Sequence, residues 1–411
     1  MRKNILATVV ICAAILLSSC GGDKSSGSIT LEWWQFWTDP AIKPTIEKIV
    51  SDFETANPNI KVNITDLTWA NGREKIVLAF SSETAPDIVE LGSDWVPQFI
   101  SADQLYPMGK KIAADTSKYF GWTPGMYEKE IYAFPWILGT RVLYLNRDLL
   151  LQAGYDQGFV PFHWDQLKEC CYKIDSIGKD IHGFGSNAAE KHRLYKKFLP
   201  LFWAGGAHIL SKDGSFSTIA SDKAYAALKL YKELSDSVGL VDTQRRLEDA
   251  FLDGSVGVII SGDWLLKRIC KEGLDIDFVT TVIPGPKYPG RSFVGGEYLA
   301  ISKQSKNKDA ALKFIRHLTS RDNQMLFCTE NYSANPSNKE AAADSFFITD
   351  PHLHIFYNQL NLSSMPRIDK HWPEIEEIIE SMLEDVLFNN APMAEALYQA
   401  KHDIEKLYAG Q

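Results

Sequence analysis

The sequence lacks the motifs that mark the commonest enzyme classes. It has no G-x-G-x-x-G turn, no Walker A sequence and no H-E-x-x-H helix, which leaves dinucleotide, nucleotide and zinc-protease chemistry without their usual scaffolds. No G-x-S-x-G elbow occurs. Ser176–Lys179 and Ser305–Lys308 match S-x-x-K, but no K-T-G accompanies them. His352 and His354 form a lone H-x-H, and the acidic pair Glu376-Glu377 reads as the polar face of a helix. Among 6 cysteines there is no C-x-x-C spacing, so neither a zinc knuckle nor a redox pair is expected. Cys170 and Cys171 are neighbours on a predicted helix and point about 100° apart, which makes them poor partners for each other and leaves a bridge to a distant cysteine open. The net charge of −9 with no long basic block argues against nucleic acid or an anionic membrane surface as partner. After residue 20 no apolar run approaches the length of a membrane span.

What is present begins with a targeting pattern. Arg2 and Lys3 precede the uncharged apolar run Ile5 to Leu17, which is too short for a permanent spanning helix and reads as a secretory signal. Leu17-Ser18-Ser19-Cys20 resembles the bacterial lipobox. By that resemblance residues 1–19 are a removable signal and Cys20 carries a lipid. Residues 20–28 are Gly/Ser-rich, the composition of a flexible tether. The remaining chain is long enough for two domains, and its 45% apolar and 23% charged residues describe an ordinary globular protein.

Hydrophobic periodicity alternates between period 2 and period 3.6. Ile29, Leu31 and Trp33 alternate as a strand. Pro44 opens a helix whose Ile46, Ile49, Val50 and Phe53 share one face. Ile60, Val62 and Ile64 form the next strand, a helix runs through Ile76 and Leu78, and Asp87–Leu91 is a short strand. Val142–Leu145 and Val256–Ile260 read as strands, Trp164–Ile177 and Asp222–Leu234 as helices. Pro284-Gly285-Pro286 and Pro289-Gly290 mark a break, after which Tyr298–Ile301 is a strand and a helix opens at Asp309. Two amphipathic helices, one starting at Pro373 and one through Met393 to Leu407, close the chain. Such alternation predicts an α/β fold with mostly parallel sheets flanked by helices.

Several segments, in the same order, resemble the family 1 extracellular solute-binding proteins, the family of maltose-binding protein. They are Ile29–Pro40 (ITLEWWQFWTDP), Phe53–Val62 (FETANPNIKV), Pro86–Trp95 (PDIVELGSDW), Tyr132–Tyr155, Ala250–Trp264 (AFLDGSVGVIISGDW) and Val294–Leu318. The resemblance implies a type II periplasmic-binding-protein fold of two α/β lobes joined by a hinge, with ligand in the cleft. The expected N-terminal lobe takes residues 29–138 and 288–335, and the C-terminal lobe takes 139–287 and 336–411. It further implies a monomeric, extracytoplasmic, lipid-anchored receptor without cofactor, delivering a sugar or oligosaccharide to the permease subunits of an ABC importer.

The residues themselves point the same way. Eleven tryptophans are many, and several sit in polar segments that read as strand-end loops. Ligands of such sheets bind beyond the carboxyl ends of strands. A sugar ring offers an apolar C–H face to an aromatic plane, while its hydroxyls need short polar partners. Trp37 with Asp39, Asp94 with Trp95, Asp263 with Trp264 and Glu297 with Tyr298 have that pairing. The candidate ligand-binding residues are Trp37, Asp39, Trp69, Asp94, Trp136, Arg141, Trp203, Trp264, Glu297 and Trp372. Each tryptophan has a core packing role as its alternative; one of Trp33 and Trp34, and Trp164, read as core. The resemblance implies stacking at Trp264 and at Trp372 within Met365–Trp372. Gly139 stands where maltose-binding protein has an acidic ligand contact, which speaks against maltose itself. Two other readings stay open: a surface glycan-acting enzyme using two of Asp39, Asp94, Asp263 and Glu297 as acid and base, and a receptor for glycerol phosphate, for which Arg141 and Arg367 are the thin cationic supply.

Overall fold

The computed structural model describes residues 28–187, 189, 194–287, 290–332, 335–363, 369 and 371–409. The expected signal, Cys20, the tether up to residue 27 and Arg367 lie outside them. The strands are β1 (Ile29–Gln35), β2 (Ile60–Asp66), β3 (Ile88–Gly92), the small hairpin β4 (Met126–Tyr127) and β5 (Glu130–Ile131), β6 (Ala133–Thr140), β7 (Val142–Asn146), β8 (His182–Asn187), β9 (Gly239–Asp242), β10 (Val256–Ser261), β11 (Phe278–Thr281) and β12 (Val294–Ile301).

Strand β1 turns Leu31, Trp33 and Gln35 inward, as its alternation predicts. It lies parallel to β2 in unbroken register from Ile29–Ile60 to Gln35–Asp66. The helix Lys43–Ala56 between them starts on Pro44, buries Ile46, Ile49, Val50 and Phe53, and stops where the Asn57 amide donates back to the Phe53 carbonyl at 2.8 Å. The helix Gly72–Ser81 buries Ile76, Ala79 and Phe80, while Leu78 points to solvent.

Among the described residues two five-stranded sheets form, in the orders β2-β1-β3-β12-β6 and β11-β7-β10-β8-β9. Each carries a parallel trio, β2-β1-β3 and β10-β8-β9, extended by one strand that runs against it, β12 or β7, and then by β6 or β11, which pairs antiparallel to that strand and so runs with the trio. Four of the five strands in each sheet thus run one way, as a mostly parallel sheet requires, and the one reversed strand makes each sheet mixed. The antiparallel pairings involve the strands that flank the crossings: β6 passes into β7 at Arg141, and β11, which ends at Thr281, is followed by β12 from Val294. A chain that leaves one sheet to enter the other, and later returns, arrives against the direction of the parallel trio.

Strand β8 (HGFGSN) shows no apolar alternation because two of its inward positions are glycine. A Cβ on Gly183 would lie 2.0 Å from the Cys171 carbonyl oxygen, and one on Gly185 2.6 Å from Ile259. Neighbouring backbone at Gly183 and the Ile259 side chain at Gly185 fill the space that a side chain of the strand would take.

The helix Pro351–Leu362 lies across the junction, packed on β6, β7 and β11. Its fully buried Gln359 accepts from the Ile283 amide at 2.6 Å and donates to the Gly290 carbonyl at 3.3 Å. The Thr140 hydroxyl donates to the Phe293 carbonyl and the Ser292 hydroxyl to the Arg141 carbonyl, each at 2.7 Å. These bonds tie the two crossing segments to each other and, through Gln359, to the helix. Among the described residues no helix is long and apolar enough to cross a membrane, and no group of three His, Cys, Asp or Glu could hold a metal ion.

Candidate functional site

The loops after the parallel strands of the two sheets hold most of the candidate residues. On the first lobe, Phe36, Trp37 and Asp39 follow β1, Trp69 follows β2, and Asp94 and Trp95 follow β3. On the second, Asp263 and Trp264 follow β10, and Gln244 and Glu248 follow β9. Glu297 faces Gly92 across the antiparallel β12–β3 pair, so it too lies at the carboxyl end of β3. Arg141 is the crossing residue between the sheets.

The first-lobe wall has an aromatic shelf. Phe36 and Trp69 stack with centroids 4.3 Å apart at 22°, Trp95 packs 5.2 Å from Trp69, and the Arg73 guanidinium lies 6.0 Å from the Trp95 ring. Trp69 keeps 43% of its surface exposed. On the second-lobe wall Trp264 is 37% exposed. Its indole N–H donates to Glu248, and its ring is approached by the Arg141 guanidinium at 4.4 Å and the Lys197 ammonium at 5.2 Å.

Acids and cations face each other between the walls. Asp94 pairs with Lys196 at 2.8 Å, and Asp39 with Lys267 at 2.6 Å. Both pairs join one lobe to the other. Burial pushes the Asp94 carboxyl up, but the Lys196 ammonium outweighs it and holds the group below the ordinary carboxylate range. Hydrogen bonding from Lys267 lowers Asp39 in the same direction.

Glu297 lies under the influence of both lobes. Burial and then the Asp263 anion push its carboxyl up to about 8; Arg141 opposes them and Asp94 adds to them. Two strand positions away on the same sheet face lies Glu90, wholly buried, which accepts from the Phe36 amide at 2.9 Å. Burial, then Glu297, raises Glu90 well above the ordinary value. A protonated carboxyl can donate as well as accept, so Glu297 offers both kinds of partner to a ligand hydroxyl.

The structure therefore brings Asp94, Arg141, Trp264 and Glu297 together, with Asp39 and Trp69 on the flanks. Trp37 is half-buried, packed edge-on against Phe327 and Trp136 at 4.8 and 6.1 Å. Three candidates lie elsewhere. Trp136 is 1% exposed in the first-lobe core, edge-on to Trp33. Trp203 is buried on the helix Leu194–Ala204 and stacks on Phe293 with centroids 6.1 Å apart. Trp372 is 2% exposed in the second-lobe core and donates its N–H to Glu376. Rings enclosed in this way have no free face for a ligand. Glu376 is correspondingly buried, not on the polar face expected of it.

Sequence reasoning missed Glu90, Glu248, Lys196, Lys197 and Lys267. Glu90 carried a usable signal, a charged residue inside the apolar strand IVELG, which burial makes expensive unless it is used. The lysines carried none, since a lysine on a helix reads as solvated until the opposite wall is known.

The sequence profile of the bacterial extracellular solute-binding proteins matches residues 38–325. A Brucella abortus (strain 2308) protein described only as a binding protein is 26% identical over 84% of this chain and 84% of its own length. The galactooligosaccharide-binding protein of Bacillus subtilis (strain 168) is 24% identical over 95% of this chain and 94% of its own. A solute-binding protein of Thermotoga lettingae, solved with α-D-tagatose bound, superposes with a TM-score of 0.83 at 23% identity, over 92% of this chain and 100% of that one.

Proposed function

This chain belongs to the bacterial extracellular solute-binding protein family, and from that premise we propose that it captures a saccharide between its lobes for an ABC importer. The observation that carries the reading is Trp264: an indole held by its N–H, 37% exposed, at the carboxyl end of β10, with acids and cations of both lobes around it. An apolar ring face beside Asp94, Arg141 and Glu297 suits the mixed surface of a sugar better than it suits an anion, because acids accompany the cations on both walls. Gripping the ligand from both walls then closes the hinge around it.

Cys20 carries a lipid that holds a monomeric receptor at the membrane, residues 20–28 act as its tether, and the ligand-loaded form docks on permease subunits without transforming the ligand. The lobes divide at residues 138/139, 287/288 and 335/336. Incorporation of an alkyne-palmitate label, abolished by Cys20→Ser, tests the anchor.

Thermal unfolding of the purified protein against tagatose, maltose, mannobiose, galactobiose and glycerol 3-phosphate tests the ligand class. A saccharide that binds only the folded state raises the midpoint. A rise with glycerol 3-phosphate alone overturns the sugar reading, and release of monosaccharide from mannobiose or galactobiose overturns the receptor reading.

A further inference from the structure

Trp264 is held by a small polar assembly contributed by three elements. The residue it depends on, Glu248, lies in the helix Gln244–Leu252 and is 4% exposed. One of its oxygens, Oε1, accepts the indole proton of Trp264, the Gln244 amide at 2.6 Å and the Ser261 hydroxyl at 3.0 Å. Gln244 in turn accepts from the Asn187 amide at 3.2 Å. Asn187 ends β8 and Ser261 ends β10, so the assembly bridges the ends of both strands. Beneath the ring lies Gly262, where an added Cβ would sit 2.0 Å from Cζ3 of the indole. The ring is therefore laid on backbone on one side and pinned at its N–H edge.

We infer that Glu248 is a positioning residue for ligand capture: its carboxylate fixes the plane of Trp264 and enriches that ring's π face, while Trp264 makes the ligand contact. The inference rests on the proposed stacking role of Trp264. The χ2 torsion of a tryptophan is broad and poorly self-determined, so an exposed indole needs an external anchor to present one plane. A carboxylate is a stronger anchor than a neutral oxygen because the hydrogen bond is charge-assisted. An anion at the N–H edge also polarises the ring, which strengthens its attraction for positive partners. Two cations, Arg141 and Lys197, already lie against it. The positively polarised C–H face of a sugar is the same kind of partner.

The test labels the chain with 5-fluorotryptophan and assigns the Trp264 fluorine resonance by its loss in W264F. E248L removes the acceptor; E248Q keeps a neutral one. In ligand-free protein E248L is expected to shift or broaden the Trp264 resonance alone, and E248Q to restore it partly. With tagatose, mannobiose and galactobiose as probes, E248Q is expected to weaken binding by about tenfold, the scale of one charged hydrogen bond. That loss should vanish in the W264F background, which has no indole proton. A Trp264 resonance unmoved by E248L overturns the inference, as does an equal loss of affinity from E248Q in both backgrounds. If E248L does not fold, the E248Q–W264F cycle decides alone. If the unaltered protein binds none of the probes, the sugar reading fails, while the ligand-free resonance still decides whether Glu248 positions Trp264.

Discussion

Trp264 at the cleft and Trp372 in the core of the same lobe are built alike. Each lies in the first turn of a helix, and each donates its indole N–H to a buried glutamate, Glu248 or Glu376. They differ in what covers the ring. Trp372 is 2% exposed among Ile375, Ile379 and the helices of the second-lobe core, whereas Trp264 keeps 37% of its surface open opposite the first lobe. The anchor is of the same kind, though Glu376 lies in the helix of its tryptophan and Glu248 in another, and the cover has been withdrawn. A stacking platform in this fold is thus a core tryptophan with one neighbour missing, and the N–H anchor alone does not tell which kind is present.

The largest effect that sharpens this contrast is on stability. Trp372→Ala should cost about 3–5 kcal/mol, the range for truncating a buried aromatic ring, read as a drop in the urea midpoint. Trp264→Ala should cost less, about 1 kcal/mol, the scale of the one hydrogen bond it donates to buried Glu248. The next effect is on binding, where the order reverses. Trp264→Ala should weaken the bound saccharide by about tenfold or more, as an aromatic anchor in a desolvated contact does. Titration calorimetry of both variants checks this. Equal losses of stability from the two substitutions would erase the distinction between cover and cleft.

The contrast also explains which parts of the site were legible in the amino-acid order. The strands β1, β2, β3, β7 and β10 and the helices starting near Lys43, Trp164, Asp222, Lys308, Trp372 and Met393 follow their periodicity closely. Strand β8 escaped because glycines replace its apolar positions, and the helix Leu194–Ala204 because it contains Pro200. Asp94, Arg141, Trp264 and Glu297 were readable as strand-end polar and aromatic residues. Trp136, Trp203 and Trp372 were not separable from them, since burial depends on elements distant in the chain: Trp136 is covered by Phe327, and Trp203 by Phe293. The cross-cleft lysines were invisible for the same reason, as their partners lie on the other lobe.

A third effect concerns protons and belongs to the cleft. The folded chain holds the Glu297 proton up to about pH 8, while in the unfolded chain the carboxyl titrates near its ordinary value of 4.5. Between those two values the folded state binds one more proton than the unfolded state, so stability falls as pH rises through that window and levels off above it. Glu90 is raised in the same direction and contributes with the same sign. Glu297→Gln should therefore flatten the decline of the urea midpoint between pH 5 and 8, leaving the part owed to Glu90. A slope unchanged by the substitution would mean that Glu297 is solvated and ionised like a surface acid.

The smallest effect tests what brings the walls together when no ligand is present. Lys267 reaches Asp39 from the opposite lobe, but the Asp39 side chain is 45% exposed. A pair of that exposure contributes only about 0.2–1 kcal/mol and is screened by salt. Lys196 and Asp94 are less exposed, at 26% and 10%, so their pair should resist salt better. Lys267→Met should shift the ligand-free protein modestly toward open forms, read as a larger radius of gyration in solution X-ray scattering. Added sodium chloride should produce the same expansion in the unaltered chain and none beyond it in the variant. Lys196→Met should expand the protein further and leave a salt response from the remaining pair. If neither variant nor salt changes the radius, the packing around Gln359, not the charges across the cleft, sets how far the lobes stand apart.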